Sequence, residues 1–362
     1  MKILLVIDHF GSGGAQRQSA LLAKFMTLKG YDVHFFNYYP EEVFFRKELE
    51  RSGVKIHDYY KGEPGFSLPL VFALRRLLKT EQYDAAISFL DSPSYYLILS
   101  SLFINVRLVV SDRNSYKKNN PYKLFLKRQV FRLSSCVVAN SVSQKKWLVN
   151  FSKLGRGRVF AIYNGYEAKD FPYAPLPLEN DRSLRIVGIG RINPQKNIEF
   201  MIEGLSIFHN KNNWCPSVTW VGRCDDEHYK KKVLACLENF PEVNQKWAWH
   251  DETADVHYLL SNNHVLVLPS HYEGLPNVVC EAMLSGCTPV ISNVCDNSVL
   301  LQDGEFGELF DIDEPEKLSA AIENVIASWG CFISHKKRKA RAYVEEELSV
   351  EKMAGSYIEL LS

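Results

Sequence analysis

The residue types best suited to chemistry gather in one stretch, Pro269-Ser270-His271-Tyr272-Glu273-Gly274-Leu275-Pro276-Asn277-Val278-Val279-Cys280-Glu281-Ala282-Met283-Leu284-Ser285-Gly286-Cys287-Thr288-Pro289-Val290. A carboxylate accepts hydrogen bonds from neighbouring hydroxyls, so Glu273 and Glu281 together can hold a sugar and a ribose. The apolar run Val265–Leu268 stops at Pro269, a loop follows, and Pro276 suits the first turn of a helix. Glu273 then falls in the loop beside the free N–H groups of the helix start. Glu281 falls about a turn and a half inside the helix, on a face that can turn toward that loop. Gly286 ends the helix and Thr288–Ile291 returns as a strand. Two glutamates at this separation are ordinary in any helix; the strand–loop–helix–strand setting gives this pair its meaning.

Two further loops carry candidates. Gly188-Ile189-Gly190-Arg191-Ile192-Asn193-Pro194-Gln195-Lys196-Asn197 puts two cations on one loop after a strand pattern. A planar guanidinium fork and an ammonium point charge together suit a diphosphate; the alternative is a solvated turn with two surface cations. Gly11-Ser12-Gly13-Gly14-Ala15-Gln16-Arg17 follows the first strand pattern and opens a helix. Glycines there let backbone approach a ligand, and helix N-terminal N–H groups attract anions. Gln16 stands where G-x-G-x-x-G needs its third glycine, which disfavours a dinucleotide cofactor; a plain tight turn is the other reading. No CxxC pair and no metal-ligand spacing occurs, so no metal site and no cofactor are expected.

The elements that must position these loops read as short apolar runs between helical patterns. Strands are expected at Ile3–Ile7, Val33–Phe36, Val54–His57, Ala85–Phe89, Leu108–Val110, Val137–Ala139 and Val159–Tyr163. Helices are expected at Ala15–Leu28, Glu42–Glu50, Leu68–Leu78 and Tyr122–Leu133. From Asn164 to Ser183 Pro, Gly, Asp and Glu accumulate, no periodicity survives, and an interdomain connection is expected. A second series follows, with strands Leu184–Ile189, Val218–Val221, a weak one near Trp247, Val265–Leu268 and Pro289–Ile291. Its helices are Ile198–His209, Glu227–Glu238, Val278–Leu284 and Pro315–Ser328, and Val350–Leu361 is helical after the basic stretch Lys336–Arg341. This is an α/β pattern of two Rossmann-like domains with parallel sheets facing a central cleft, ligands sitting at the carboxyl ends of the strands. The expected division is 1–165 and 166–345, with a C-terminal helix at about 346–362 that can pack back on the first domain.

Bulk composition agrees with a folded protein: of 362 residues 46% are hydrophobic and 12% aromatic, too rich for disorder. The formal charge of +1 names no polyanionic partner. Eight cysteines without pairing spacing point to a reducing compartment. The first apolar run, Ile3–Ile7, is too short for a signal-peptide core, and Ser92–Val106 is too short and polar to span a bilayer.

Pro269–Val290 resembles the E-x7-E donor signature of retaining GT-B glycosyltransferases, closest to glycosyltransferase family 4. Gly13-Gly14-Ala15-Gln16-Arg17 resembles that family's N-terminal glycine turn, where Glu is commoner than Gln16. Gly190-Arg191 through Lys196 resembles its phosphate-binding pair, and Ile162-Tyr163-Asn164-Gly165 the segment closing the first domain. The resemblance covers nearly the whole chain. It implies that Arg191 and Lys196 bind the donor diphosphate and stabilise its charge as the sugar–phosphate bond breaks. It implies that Glu281 holds the ribose, and that Glu273, with the backbone N–H groups of Gly274, Leu275 and Asn277 on the loop that includes Pro276, holds the transferred sugar. Gly13 and Gly14 then approach the diphosphate or the acceptor from the first domain. Such enzymes retain anomeric configuration and need no metal. One departure stands out: where many relatives have a His near the end of the fifth strand, this chain has Ser111-Asp112-Arg113-Asn114, similar to a Ser-Glu-Arg-Asn variant of bacterial surface-polysaccharide transferases. Asp112 and Arg113 are therefore site candidates, or partners in a loop salt bridge.

Charge is unevenly spread. From Arg107 to Arg158 thirteen Lys or Arg face the single acid Asp112. Residues 113–132 interleave these cations with aromatics, which suits contact with an anionic membrane. The expected setting is cytoplasmic, peripheral on the inner face of the plasma membrane, beside an acceptor saccharide on a lipid diphosphate. The alternatives are a solvated basic helix packing Leu124, Val130 and Leu133 inward, or nucleic acid, for which no module is recognisable. The expected reaction moves a hexose or N-acetylhexosamine from a nucleotide sugar, UDP by family precedent, in O-antigen, capsule or related glycan synthesis. Competing readings are a nucleotide-sugar epimerase on the same fold, a phosphorylase, for which no pyridoxal-lysine setting is found, and a non-catalytic nucleotide-sugar-binding protein.

Overall fold

A computed structural model of the chain describes residues 1–113, 121–253 and 255–361. The backbone divides into two units, Met1–Gly165 with Leu348–Ser362, and Tyr166–Glu347. In the first unit the order is β1 (Lys2–Val6), α1 (Gly14–Leu28), β2 (Asp32–Asn37), α2 (Arg46–Arg51), β3 (Lys55–Asp58), α3 (Leu68–Glu81), β4 (Ala85–Phe89), α4 (Asp91–Ser101), β5 (Arg107–Asp112), α5 (Pro121–Leu133), β6 (Cys136–Ala139), α6 (Val142–Ser152) and β7 (Val159–Ala161). The strands form one parallel sheet, β3-β2-β1-β4-β5-β6-β7. Alternate side chains of β1 feed opposite faces: Ile3 and Leu5 enter one core, Leu4 and Val6 the other. Burial on both faces is why these strands read as continuous apolar runs rather than alternating ones.

The second unit holds β8 (Arg185–Ile189), α7 (Ile198–Asn212), β9 (Ser217–Val221), α8 (Glu227–Glu238), α9 (Pro241–Asn244), β10 (Trp247–His250), α10 (Val256–Ser261), β11 (Val265–Leu268), α11 (Asn277–Ser285), β12 (Thr288–Ser292), α12 (Asn297–Leu300), β13 (Glu308–Phe310), α13 (Pro315–Ala327) and α14 (Cys331–Glu347). Its sheet, also parallel, runs β10-β9-β8-β11-β12-β13. The last helix, α15 (Val350–Leu361), belongs to the first unit, where Val350, Met353, Ala354, Tyr357 and Leu361 join the core beneath β1 and β4. Their three- and four-residue spacing is one face of a helix.

Several expectations change. The helix expected at Glu42–Glu50 starts only at Arg46, because Glu42 and Phe45 are tied by backbone hydrogen bonds to Phe10 in the turn after β1. The segment expected as a bare connection is packed: Tyr166 and Phe171 are buried, Ala174 N donates to Ser285 O at 3.3 Å, and Arg341 donates to Phe171 O and Leu284 O. β13 was not expected, since it offers only Leu309 and Phe310 as apolar residues on a sheet edge.

Both sheets reverse their winding at one place, between β1 and β4 in the first unit and between β8 and β11 in the second. Open α/β sheets bind ligands just beyond the carboxyl ends of such strand pairs. The candidate loops follow β1, β8 and β11.

Candidate active site

In the second unit the loops after β8 and β11 are joined to each other. Gln195 Nε2 donates to Tyr272 O at 2.9 Å, and His271 N donates to Gln195 O at 2.9 Å. Next to this link, Lys196 Nζ donates to Glu273 Oε1 at 2.6 Å, with side chains only 12% and 9% exposed. Lys196 reaches there by lying across Gly190, where an added Cβ would be 2.6 Å from Lys196 Cε. Glycine also lets Gly188 pack under the Trp220 ring, whose Nε1 donates to Gly190 O at 2.9 Å. The Lys196 ammonium is thus held over a loop pair that the sheet itself places.

The helix that follows completes this region. Leu275 is buried, Pro276 is the N-cap of α11, and Asn277 opens it, its Oδ1 accepting from Tyr166 OH at 2.8 Å. Glu281 is buried in α11, and Gly286 caps the helix in the left-handed region at φ +81°. Cys280 and Cys287 flank it, and burial pushes both thiols up to about 12, so neither is a nucleophile near neutral pH. Arg191 is placed differently from Lys196. Its side chain is 55% exposed and its Nη1 donates to Asp225 Oδ2 at 2.8 Å. Among the described residues no group of three His, Cys, Asp or Glu side chains is arranged to hold a metal ion.

In the first unit, Gly13 is the N-cap of α1 and Gly14 its first residue. A Cβ on Gly13 would collide with Gln16 Oε1. Gln16 folds back so that its Nε2 donates to Asp8 Oδ1 at 3.1 Å, and Gly11 N donates to His9 Nδ1 at 2.9 Å. The turn is therefore closed by Gln16 and His9. Asp112 is not on a loop: it ends β5, its side chain fully buried, its Oδ1 accepting from Lys127 Nζ at 2.9 Å. Lys127 also reaches Asp91 Oδ1 at 2.6 Å. Arg113 donates to Ser111 Oγ at 3.1 Å, to Asn164 Oδ1 and to Tyr357 OH at 3.3 Å, and lies 4.9 Å from the Phe89 ring centroid. Both residues hold secondary structure together: Asp112 ties β5 to α5, and Arg113 ties it to α15.

Sequence reasoning missed Leu90 and Lys127. Leu90, between β4 and α4 at the first unit's switch point, sits at φ +73° and ψ 171°, a region nearly confined to glycine. A leucine gives no sign of this. Lys127 was expected as a surface cation of α5 and is instead 4% exposed, because i±4 geometry turns it inward with Val130 and Phe131. Leu133, which only the solvated-helix alternative packs inward, is 56% exposed. Asn114–Asn120, including Lys117 and Lys118, lie outside the described residues.

Two family models divide the chain between them: "Glycosyltransferase Family 4" matches residues 12–170 and "Glycosyl transferases group 1" matches residues 176–345. The chain is a family 4 glycosyltransferase. This transferase is 25% identical to a Campylobacter jejuni enzyme named GalNAc-alpha-(1->4)-GalNAc-alpha-(1->3)-diNAcBac-PP-undecaprenol alpha-1,4-N-acetyl-D-galactosaminyltransferase, over 90% of this chain and 89% of that one. It is also 25% identical to the Staphylococcus aureus capsular polysaccharide biosynthesis glycosyltransferase CapH, over 83% and 84% of the two chains. Among solved structures, Anabaena HepE in complex with UDP-glucose superposes with a TM-score of 0.84 at 18% identity, covering 100% of this chain and 99% of that one. The transferase therefore has the GT-B fold.

Proposed function

We propose that this transferase moves a hexose or N-acetylhexosamine from a UDP-sugar to a lipid-diphosphate-linked saccharide, with retention, in O-antigen, capsule or related glycan synthesis. The supporting observation is the Lys196–Glu273 contact at the second unit's switch point, on two zipped loops beside buried Glu281. The acceptor class is supported by the PP-undecaprenol substrate in the Campylobacter relative's name and by the capsule role in CapH's. Tyr166–Glu347 is the donor unit in this reading, and Met1–Gly165 the acceptor unit, with Gly13 and Gly14 giving backbone access.

Lys196 and Arg191 carry the chemistry. As the bond from the anomeric carbon to phosphate breaks, negative charge builds on the leaving diphosphate, and fixed cations lower that barrier without a metal. Glu273 orients Lys196 and accepts from sugar hydroxyls, the N–H groups from Gly274 to Asn277 assist, and Glu281 accepts from the ribose. Retention brings the acceptor hydroxyl in on the face the diphosphate leaves. A new bond forms from its oxygen to the anomeric carbon, and its proton passes to the departing phosphate oxygen. EDTA is expected to leave the rate unchanged.

The test is a thermal-shift panel with UDP, GDP and their sugars. A ligand that binds only the native state raises the melting temperature with concentration. A rise is expected with UDP or a UDP-sugar, abolished by Lys196→Ala and by Glu281→Gln. If no nucleotide shifts the wild type, the donor reading is abandoned.

Peripheral attachment to an anionic inner leaflet belongs to the same proposal. It is supported by exposed Tyr122, Phe125 and Leu126 on α5, with Lys123 between them. No described helix is long and apolar enough to cross a membrane. Phe125→Ser with Lys123→Glu is expected to reduce co-sedimentation with phosphatidylglycerol vesicles; undiminished binding would remove α5 as the contact.

A further inference from the structure

Lys196 and Arg191 are not the last cations at this switch point. β8 and β9 remain paired past their ends: Ile192 bridges Cys224, Ile192 N donates to Arg223 O at 2.9 Å, and Asp225 N donates to Ile192 O at 3.3 Å. That register sets Arg191 beside Arg223. Like charges side by side on neighbouring strands repel. One carboxylate joins them: Asp225 Oδ2 accepts from Arg191 Nη1 at 2.8 Å, and Oδ1 accepts from Arg223 Nε at 2.9 Å. The guanidinium side chains are 55% and 60% exposed, and Asp225 is 24% exposed between them.

Within this trio two cations share one anion; the acids that follow, Asp226 and Glu227, are at the start of α8, where the Asp226 side chain accepts from Tyr229 N. Each guanidinium has five N–H donors, so one bond apiece to Asp225 leaves the rest of both forks for an oxyanion. The close approach depends on two glycines. A Cβ on Gly222 would collide with Gly190 O, and Gly190 is the residue that Lys196 lies across. Arg191, Arg223 and Lys196 thus gather around one glycine junction. Exposed ion pairs add little to stability, so folding alone gives no reason for two arginines to share an aspartate here.

We infer that Arg191 and Arg223 form a paired-guanidinium subsite for the donor's diphosphate beside Lys196, and that Asp225 is the positioning residue that sets the pair. Paired forks match phosphate oxygens in a way a single ammonium does not. This rests on the donor reading above. It differs from that reading in assigning a residue outside the Gly190–Lys196 loop.

The experiment titrates the full chain with UDP and UMP, and with GDP and GMP, by calorimetry, and reads the ratio of diphosphate to monophosphate affinity. For the base the wild type accepts, Arg223→Gln is expected to lower that ratio about tenfold with the monophosphate affinity nearly unchanged. Asp225→Asn is expected to lower it about threefold, since the pair loses its brace. Lys196→Ala reports on the donor reading itself. If it lowers the ratio and Arg223→Gln does not, the subsite is wrong and the donor reading stands. If neither lowers it, or if the wild type binds none of the four nucleotides, both fall. A loss shared equally by mono- and diphosphate in Arg223→Gln would overturn the subsite, and tighter diphosphate binding in Asp225→Asn would overturn the positioning role.

Discussion

At Gly190 a single hydrogen stands between a loop backbone and a functional ammonium. Replacing it with methyl puts carbon 2.6 Å from Lys196 Cε, so the lysine must leave its place over the loop. Gly190→Ala is therefore expected to weaken nucleotide binding about tenfold and also to lower the melting temperature, because Glu273 loses its buried partner and a Cβ is strained at that φ, measured by calorimetry and thermal melts. Asp112 tests the opposite case. Its carboxylate is fully buried against Lys127, and removing one member of a buried pair leaves the other charge poorly compensated. Asp112→Asn is expected to cost about 3 kcal/mol in urea unfolding, with near wild-type activity per folded molecule. Unchanged stability with lost activity would return Asp112 to the list of reacting groups.

Helix α14 shows how an element can carry a charge inward. Ile333, Lys337, Ala340 and Val344 are buried at helical spacing, and the Lys337 ammonium lies 4.3 Å from the Trp329 ring centroid. Burial pushes Lys337 down from 10.5 to about 8, opposed weakly by the nearby Cys287 thiol. Between those values the folded chain holds fewer protons than the unfolded chain, so this lysine's contribution to stability rises with pH; below about 8 the full cost of burying its charge is present. Lys337→Met is expected to raise stability by about 2 kcal/mol at neutral pH and to flatten the rise above pH 8 relative to wild type. Urea unfolding of both proteins on either side of that value checks it, and a destabilised Met variant would show that the ammonium is well satisfied. Helix α5, in the first unit, makes a related point: with Lys127 turned inward, its exposed cations are Lys123 and Arg132, beside exposed Tyr122, Phe125, Leu126 and Leu133.

Over the whole molecule, the chain leaves its first unit at Gly165 and returns to it at Leu348. Five buried side chains of α15, among them Tyr357, lie in the core under β1 and β4, and Tyr357 OH bonds to Ser111 Oγ at 2.9 Å. Each of the four large ones contributes roughly 1.5–3 kcal/mol, in sum comparable to the whole stability of a typical domain. Truncation after Glu347 is thus expected to open Met1–Gly165 to limited proteolysis ahead of Tyr166–Glu347; equal resistance to the intact chain would show that the first unit stands without α15. The amino-acid sequence by itself determined the alternation of strand and helix, the E-x7-E context at Glu273 and Glu281, and the glycine turns, because apolar periodicity and turn chemistry are local properties of the chain. Strands at Ala85–Phe89 and Val265–Leu268 could be read to the residue, since burial on both faces leaves no charged position inside them. Only the tertiary structure decided which carboxylate each cation meets: Lys196 with Glu273, Arg191 and Arg223 with Asp225, Lys127 with Asp112. It alone set the strained backbone of Leu90 and chose which core receives α15, a helix the sequence had only allowed to pack back on the first domain. Those outcomes depend on sheet order and on contacts between residues far apart in the chain, and a pattern of neighbours in sequence contains no term for either.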